Sequence, residues 1–215
     1  RGRGATGPPC TPATIPRRPP QSRTTPSGHA PGVCGYDRAP FTGPRSTSGK
    51  RLSVEFDGVY MNSYVYVNGQ LLGNHPFGYT GFNFDISKLV HTDGTTPNVL
   101  AVVVQNKQPS SRWYSGSGIT RNVHLTVTDP VHVARNGTFV TTPTVADTIG
   151  SGFADAHVQT EVQNDGGTAD GVRVISTIKN AKGKVVASDR SGPLTVGSSA
   201  ANAIEDVKVT NPPLR

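Results

Sequence analysis

Residues 51–90 read "RLSVEFDGVYMNSYVYVNGQLLGNHPFGYTGFNFDISKLV", and the period of that stretch decides the fold class. Leu52, Val54 and Phe56 alternate with polar partners until Asp57-Gly58 turns the chain, the two-residue period of a half-buried strand. "SYVYVNGQLLG", residues 63–73, then gives a strand, an Asn68-Gly69 turn and a return strand. Asn-Gly is the strongest short-range hairpin signal, because a type I′ turn needs a positive φ at both central residues. Further strands are predicted at "GFNFDI" (81–86), "NVLAVVVQN" (98–106) and "RNVHLTV" (121–127). Helical periodicity is absent almost throughout. The exception is "DISKLV", residues 85–90, where Asp85 or Ser87 would cap a single turn before His91.

Beyond Asp129-Pro130 the alternation starts again, in "VHVARNGTFVTTPTV" (131–145), "DAHVQTEVQNDGG" (155–167), "GVRVISTIKNAKGKVVAS" (171–188) and "AIEDVKVTNP" (203–212). Val158, Thr160 and Val162 are expected on one face before "NDGG" turns the chain, and "KNAKGK" is a second turn between strands. Strands at this spacing with no helices to make crossovers argue for antiparallel sandwiches. The expectation is therefore all-β: one sandwich over residues 50–129 and an immunoglobulin-like sandwich over 130–215, about the size that fold takes.

The first 49 residues differ in composition. Ten of the 18 prolines lie in residues 1–50, with few large apolar side chains. Such a segment cannot bury enough surface to offset its chain entropy, so residues 1–49 are expected to be a disordered Pro/Arg-rich tail. The abrupt change near Lys50 is also what a gene read out of frame, or a wrongly assigned start, would leave. The tail has no apolar run of the kind a secretory signal carries. The formal charge of +7 is local to it. Residues 1–50 hold eight Lys/Arg and one Asp, and the remainder holds thirteen basic and thirteen acidic residues. The basic pI therefore does not mark a nucleic-acid or anionic-membrane surface on the folded part, and the tail lacks the interleaved aromatics that single-strand binding favours. No run reaches the length of a membrane span. Cys10 and Cys34 both lie in the tail, so the folded part has neither a disulfide framework nor thiolate metal ligands.

Catalytic constellations are lacking. Ser117 in "SGSG" has no glycine two places before it, as a nucleophile elbow requires, and reads as a tight turn. Gly116 and Gly118 suggest a dinucleotide loop, but position 121 is Arg and no helix opens there. The six histidines (29, 75, 91, 124, 132 and 157) contain no pair at metal-ligand helical spacing, and His124 and His132 are expected on strand faces. No metal and no cofactor is expected. "NGT" at Asn136 is a glycosylation sequon that matters only in a eukaryotic secretory pathway. The remaining candidate is "RWYSGSGITRNVHL", residues 112–125, where Arg112, the sole tryptophan Trp113, and Tyr114 precede a Gly-rich bend. Aromatics beside an Arg on a loop held between strands are what a sugar-binding surface uses, and a Trp at a strand end also serves as packing.

Four ordered signatures, Phe56-Asp57-Gly58, Val67-Asn68-Gly69, Phe84-Asp85-Ile86 and Gly118-Ile119-Thr120-Arg121, span residues 51–128 almost without a gap. This region closely resembles the N-terminal jelly-roll, galactose-binding-like domain of glycoside hydrolase family 2, the family of β-galactosidases, β-glucuronidases and β-mannosidases. "GTFVTTP", "EVQNDG", "KGKVVAS" and "VKVTNPPL" resemble its immunoglobulin-like second domain, in the expected order. The resemblance implies that both catalytic glutamates lie on a (β/α)8 barrel outside these residues, so no catalytic residue is expected in this chain. It implies further that Arg112, Trp113 and Tyr114 line a sugar subsite, with Trp113 as a domain-packing residue the alternative. The partners implied are a carbohydrate substrate and the missing barrel.

Two departures stand out. Thr120 occupies a position where family members carry an aromatic, and the tail stands where they carry further jelly-roll strands, leaving at least one sandwich edge open to being unpaired. At the other end the chain stops at "NPPLR", where members continue with a last strand of the second sandwich. Two functional classes follow: the non-catalytic N-terminal part of a family 2 glycosidase, or a stand-alone carbohydrate-binding or adhesive β-sandwich. Sugar, anomer and compartment are not encoded in any of these features.

Overall fold

The computed structural model describes residues 33–106 and 116–212. The chain folds as two compact units, the first ending at Val127 and the second beginning at Thr128. The first unit contains β1 (Val33–Thr42), β2 (Arg51–Phe56), β3 (Val59–Tyr60), β4 (Ser63–Val67), β5 (Gln70–His75), β6 (Phe82–Asp85), β7 (Pro97–Asn106), β8 (Gly118–Ile119) and β9 (Val123–Thr128). They form a sheet in the order β1-β7-β4-β5, a second in the order β6-β2-β9, and the short pair β3-β8. This is the jelly-roll sandwich.

The alternation in β2 places Leu52, Val54 and Phe56 in the core, where they meet Val65 and Val67 of β4 and Val102 and Val104 of β7. Phe56 is fully buried and stacks on Phe82 at 5.0 Å between ring centroids. Burying side chains of this size is worth about 1.5–3 kcal/mol each, so β2 is anchored by its sequence period alone. Asn68 and Gly69 have φ of 51° and 85°, as a type I′ turn requires. Asn68 also ties the hairpin to the rest of the sandwich. Its Nδ2 donates to Leu89 O at 2.7 Å and Asn98 Oδ1 at 2.9 Å, and its Oδ1 accepts from Val99 N at 2.9 Å. In "DISKLV" Asp85 is the cap: its Oδ1 accepts from Ser87 N at 2.8 Å and Ser87 Oγ at 2.6 Å. The segment closes one turn, Leu89 N to Ile86 O at 2.9 Å, and goes no further toward a helix.

The expectation of a disordered tail through residue 49 is corrected for its last part. Residues 33–42 form β1, paired antiparallel with β7 from Val33↔Asn106 to Thr42↔Pro97, and a 3-10 turn follows at Arg45–Thr47. The physical reason is that an edge strand needs little apolar surface of its own. Its backbone groups pair along a neighbour already held by the core, and one large side chain, Phe41, packs against that core. A jelly-roll strand therefore does precede Arg51, and it covers one side of β7. Residues 1–32, including Cys10, lie outside the described residues.

The second unit contains β10 (Val131–Thr141), α1 (Val145–Thr148), β11 (Phe153–Asn164), β12 (Ala169–Val172), β13 (Ile175–Lys179), β14 (Val185–Arg190), β15 (Leu194–Val196) and β16 (Ala201–Thr210). The sheet β10-β11-β16 faces the pairs β12-β15 and β13-β14 in an immunoglobulin-like sandwich. Val158, Thr160 and Val162 are all buried from one face of β11. "NDGG" turns around Asn164, whose Nδ2 donates to Gly167 O at 2.6 Å and Val196 O at 2.7 Å. In "KNAKGK", Asn180 Oδ1 accepts from the backbone of Lys182 and Lys184 at 3.0 and 3.1 Å. The short helix α1 is missed by sequence reading because it buries no residue and is too short for an apolar period.

Candidate functional site

One end of the first sandwich collects the turns that could carry function. The register puts Val33 opposite Asn106, Ser63 opposite both Val104 and His75, and Tyr60 opposite Gly118. The segments 57–62, 76–81 and 105–122 therefore meet there. Arg112, Trp113 and Tyr114 belong to the connection 107–115 that leaves β7 and returns to β8, and they lie outside the described residues. What is described is the neck of that connection. Asn106, only 3% exposed, donates from Nδ2 to Ser117 Oγ at 2.9 Å. On the return side Val59 pairs with Ile119, and both Thr120 N and Thr120 Oγ1 donate to Gly58 O, at 3.1 and 3.2 Å. Thr120, in place of an aromatic, thus anchors the return by hydrogen bonding. A groove of about 320 Å³ opens beside the neck, lined among others by Asp37, Leu100, Val102, Ser117 and Ile119.

Two groups of side chains at this end were not singled out from the sequence. The first is a set of amides. Asn62 Nδ2 donates to Gln105 Oε1 at 3.3 Å, and Asn74 Nδ2 donates to Asn62 Oδ1 at 3.1 Å and Ser63 O at 3.0 Å. The second is aromatic: Tyr60 meets Tyr79 edge-to-face at 5.4 Å, and Tyr79 meets Phe77 at 5.6 Å. The signal available was "HPFGYTGF", residues 75–82, in which aromatics punctuated by glycines sit between two strands. Among the described residues no group of three or more His, Cys, Asp or Glu side chains is placed to hold a metal ion. His124 lies on β9 with Nε2 at 3.3 Å from Asp57 Oδ2, and His132 lies on β10 with Nδ1 at 3.1 Å from Pro130 O. No helix among the described residues is long and apolar enough to cross a membrane.

A jelly-roll sandwich that displays a clamped loop, amides and exposed rings at one end, followed by an immunoglobulin-like sandwich, defines a carbohydrate-active accessory module. Residues 14–130 match the family model described as "Glycosyl hydrolases family 2, sugar binding domain". The chain belongs to glycoside hydrolase family 2. It is similar to the β-galactosidase BoGH2A of Bacteroides ovatus, 44% identical over 168 residues covering 78% of this chain and 19% of the relative. It is also similar to a β-glucuronidase of Bacteroides fragilis, 29% identical over 165 residues covering 72% of this chain and 23% of the relative. Among solved structures, a family 2 member from Bacteroides cellulosilyticus superposes with a TM-score of 0.75 at 34% identity, covering 84% of this chain and 24% of the other. The chain spans about a fifth of the length of the curated relatives it matches.

Proposed function

We propose that this chain is the non-catalytic sugar-binding portion of a family 2 enzyme that hydrolyses O-glycosyl bonds, with β-galactosides the first substrates to test, and that its 107–115 connection borders the substrate pocket of a catalytic barrel outside these residues. The observation that carries the reading is the neck: Asn106 and Ser117 hold the ends of that connection together at the loop-bearing end of the sandwich. A short tether of this kind limits the freedom lost when a sugar is bound. In this reading the rings of Trp113 and Tyr114 cover the C–H faces of a pyranose, and the Arg112 guanidinium donates to its hydroxyls. The bond-breaking carboxylates, a nucleophile and an acid/base in retaining chemistry, belong to the barrel. Support for a galactoside over a glucuronide is the 44% identity to a β-galactosidase.

Trp113 is the sole tryptophan, so its fluorescence reports the loop directly. Titrating the 215-residue chain with galactose should shift or quench that emission saturably, while aryl galactosides, glucuronides and mannosides stay unhydrolysed. An indole emission characteristic of full burial, unresponsive to acrylamide and to sugar, refutes the subsite. Hydrolytic activity that follows the chain through several columns refutes its non-catalytic role.

A further inference from the structure

Phe77 and Tyr79 are 55% and 53% exposed, yet the segment that presents them is held firmly. Gly78, between them, is buried against Tyr60 so closely that a Cβ there would come within 2.3 Å of the ring, and only glycine allows the approach. His75 Nε2 lies 3.0 Å from Thr80 Oγ1, closing the segment, and the His75 ring stacks on Phe82 at 4.2 Å. Asn62 N donates to Pro76 O at 3.1 Å, joining the segment to the start of β4. The two exposed rings are thus fixed in place with little conformational freedom left to lose on binding.

The surroundings say what such rings would bind. The amides of Asn62, Asn74 and Gln105 gather at the same end of the sandwich, and an amide supplies uncharged donors and an uncharged acceptor. The aromatic and amide groups include no Asp, Glu, Lys or Arg. A phosphate backbone or an anionic membrane would call for cations there. A neutral pyranose calls for what is present: an apolar ring face for its C–H groups, and paired donors and acceptors for its hydroxyls.

We infer that Phe77 and Tyr79, backed by Tyr60, form a stacking subsite for the outer units of a neutral oligosaccharide whose terminal unit lies at the 107–115 connection. The inference rests on the proposed function for the position of that terminal unit, and makes the enzyme one that prefers oligosaccharides to monosaccharide glycosides.

The test uses the whole 215-residue chain, with galactose and a β-linked galactotetraose as probes, calorimetry for affinity and Trp113 fluorescence for the loop. The tetrasaccharide should bind about tenfold more tightly than galactose, and Phe77→Ala or Tyr79→Leu should each remove most of that advantage while leaving the galactose response of Trp113 unchanged. Tyr79→Leu retains apolar bulk and guards against a folding defect, which circular dichroism checks. If the tetrasaccharide binds no more tightly than galactose, or binds both variants as well as the parent chain, the inference is overturned and the rings face a protein surface. If the tetrasaccharide binds through Phe77 and Tyr79 but Trp113 never responds to galactose, the stacking subsite stands and the loop assignment falls.

Discussion

Asn106 Nδ2 and Ser117 Oγ, 2.9 Å apart, join the last residue of β7 to the residue preceding β8, and everything between them is the connection that carries Arg112, Trp113 and Tyr114. Asn106 is buried, so its amide is fixed by the sandwich, whereas Ser117 is exposed and is fixed by Asn106. The neck thereby transfers the rigidity of a core strand to a loop.

Removing that hydrogen bond should separate binding from stability. Ser117→Ala is expected to cost the fold about 0.5–1.5 kcal/mol, because one hydrogen bond at the surface is lost and nothing in the core moves. The galactose-induced change in Trp113 emission should weaken by a larger factor than that cost implies. A variant with unchanged sugar response would show that the neck does not position the loop.

Asn98 should be among the most sensitive polar positions in the first unit. It is fully buried; its Oδ1 accepts from Asn68 Nδ2 at 2.9 Å and His91 N at 2.8 Å, and its Nδ2 donates to His91 O at 2.9 Å. Asn98→Ala strips three bonds and leaves partners unsatisfied, which should cost about 2–4 kcal/mol, read as a drop in the urea midpoint. A cost below that of Ser117→Ala would contradict this account of the far end of the sandwich.

Two aspartates set the acid limb of the stability curve. Burial pushes the Asp85 carboxyl up, but hydrogen bonds from the Ser87 hydroxyl and backbone, with the charges of Arg51 and Lys88, outweigh it and leave the group below its ordinary value. Asp93 is held well below the usual carboxylate range by the hydroxyl and N–H of Thr96 and the N–H of Thr95. A carboxylate whose folded value is depressed stabilises the fold above its unfolded value, about 4, and that contribution disappears as pH falls through the folded value. Stability should therefore be flat near neutrality and decline below about pH 4. Asp85→Asn with Asp93→Asn should flatten the decline. An unchanged acid limb in the double variant would remove these residues from the explanation.

The second unit contains a carboxylate that works against it. Glu205 on β16 is 3% exposed; Ser176 Oγ donates to its Oε2, but Oε1 has no hydrogen-bond partner among the described residues. A buried polar atom left in this state costs about 1–3 kcal/mol. Glu205→Val, with a β-branched side chain suited to a strand facing Val158, should raise the urea midpoint, and Ser176→Ala should lower it. A destabilised Glu205→Val chain would mean that the carboxylate supports the sandwich through Ser176 more than its unpaired oxygen costs.

The amino-acid sequence by itself determined the elements whose signals are local. Leu52, Val54 and Phe56 alternate because one face of β2 is core, and Asn68-Gly69 turns because those two residues tolerate positive φ; both are legible from a handful of consecutive residues. The same holds for the turns at Asn164 and Asn180, whose side chains bond backbone groups two to four positions away. Only the tertiary structure decided the rest. β1 has a tail's composition and becomes a strand because β7, more than 50 residues later, supplies its hydrogen-bond partners. Glu205 reads as one acidic residue in a polar-apolar alternation and is buried because β16 turns that face toward the core. Tyr60, Phe77 and Tyr79 are scattered over two loops, and Asn62 and Gln105 stand 43 residues apart; they meet because the antiparallel register brings those chain segments to one end of the sandwich. A local pattern reports which face of a strand is apolar, whereas a binding surface made from loop ends depends on which strands become neighbours, and that is settled by packing between residues far apart in the chain.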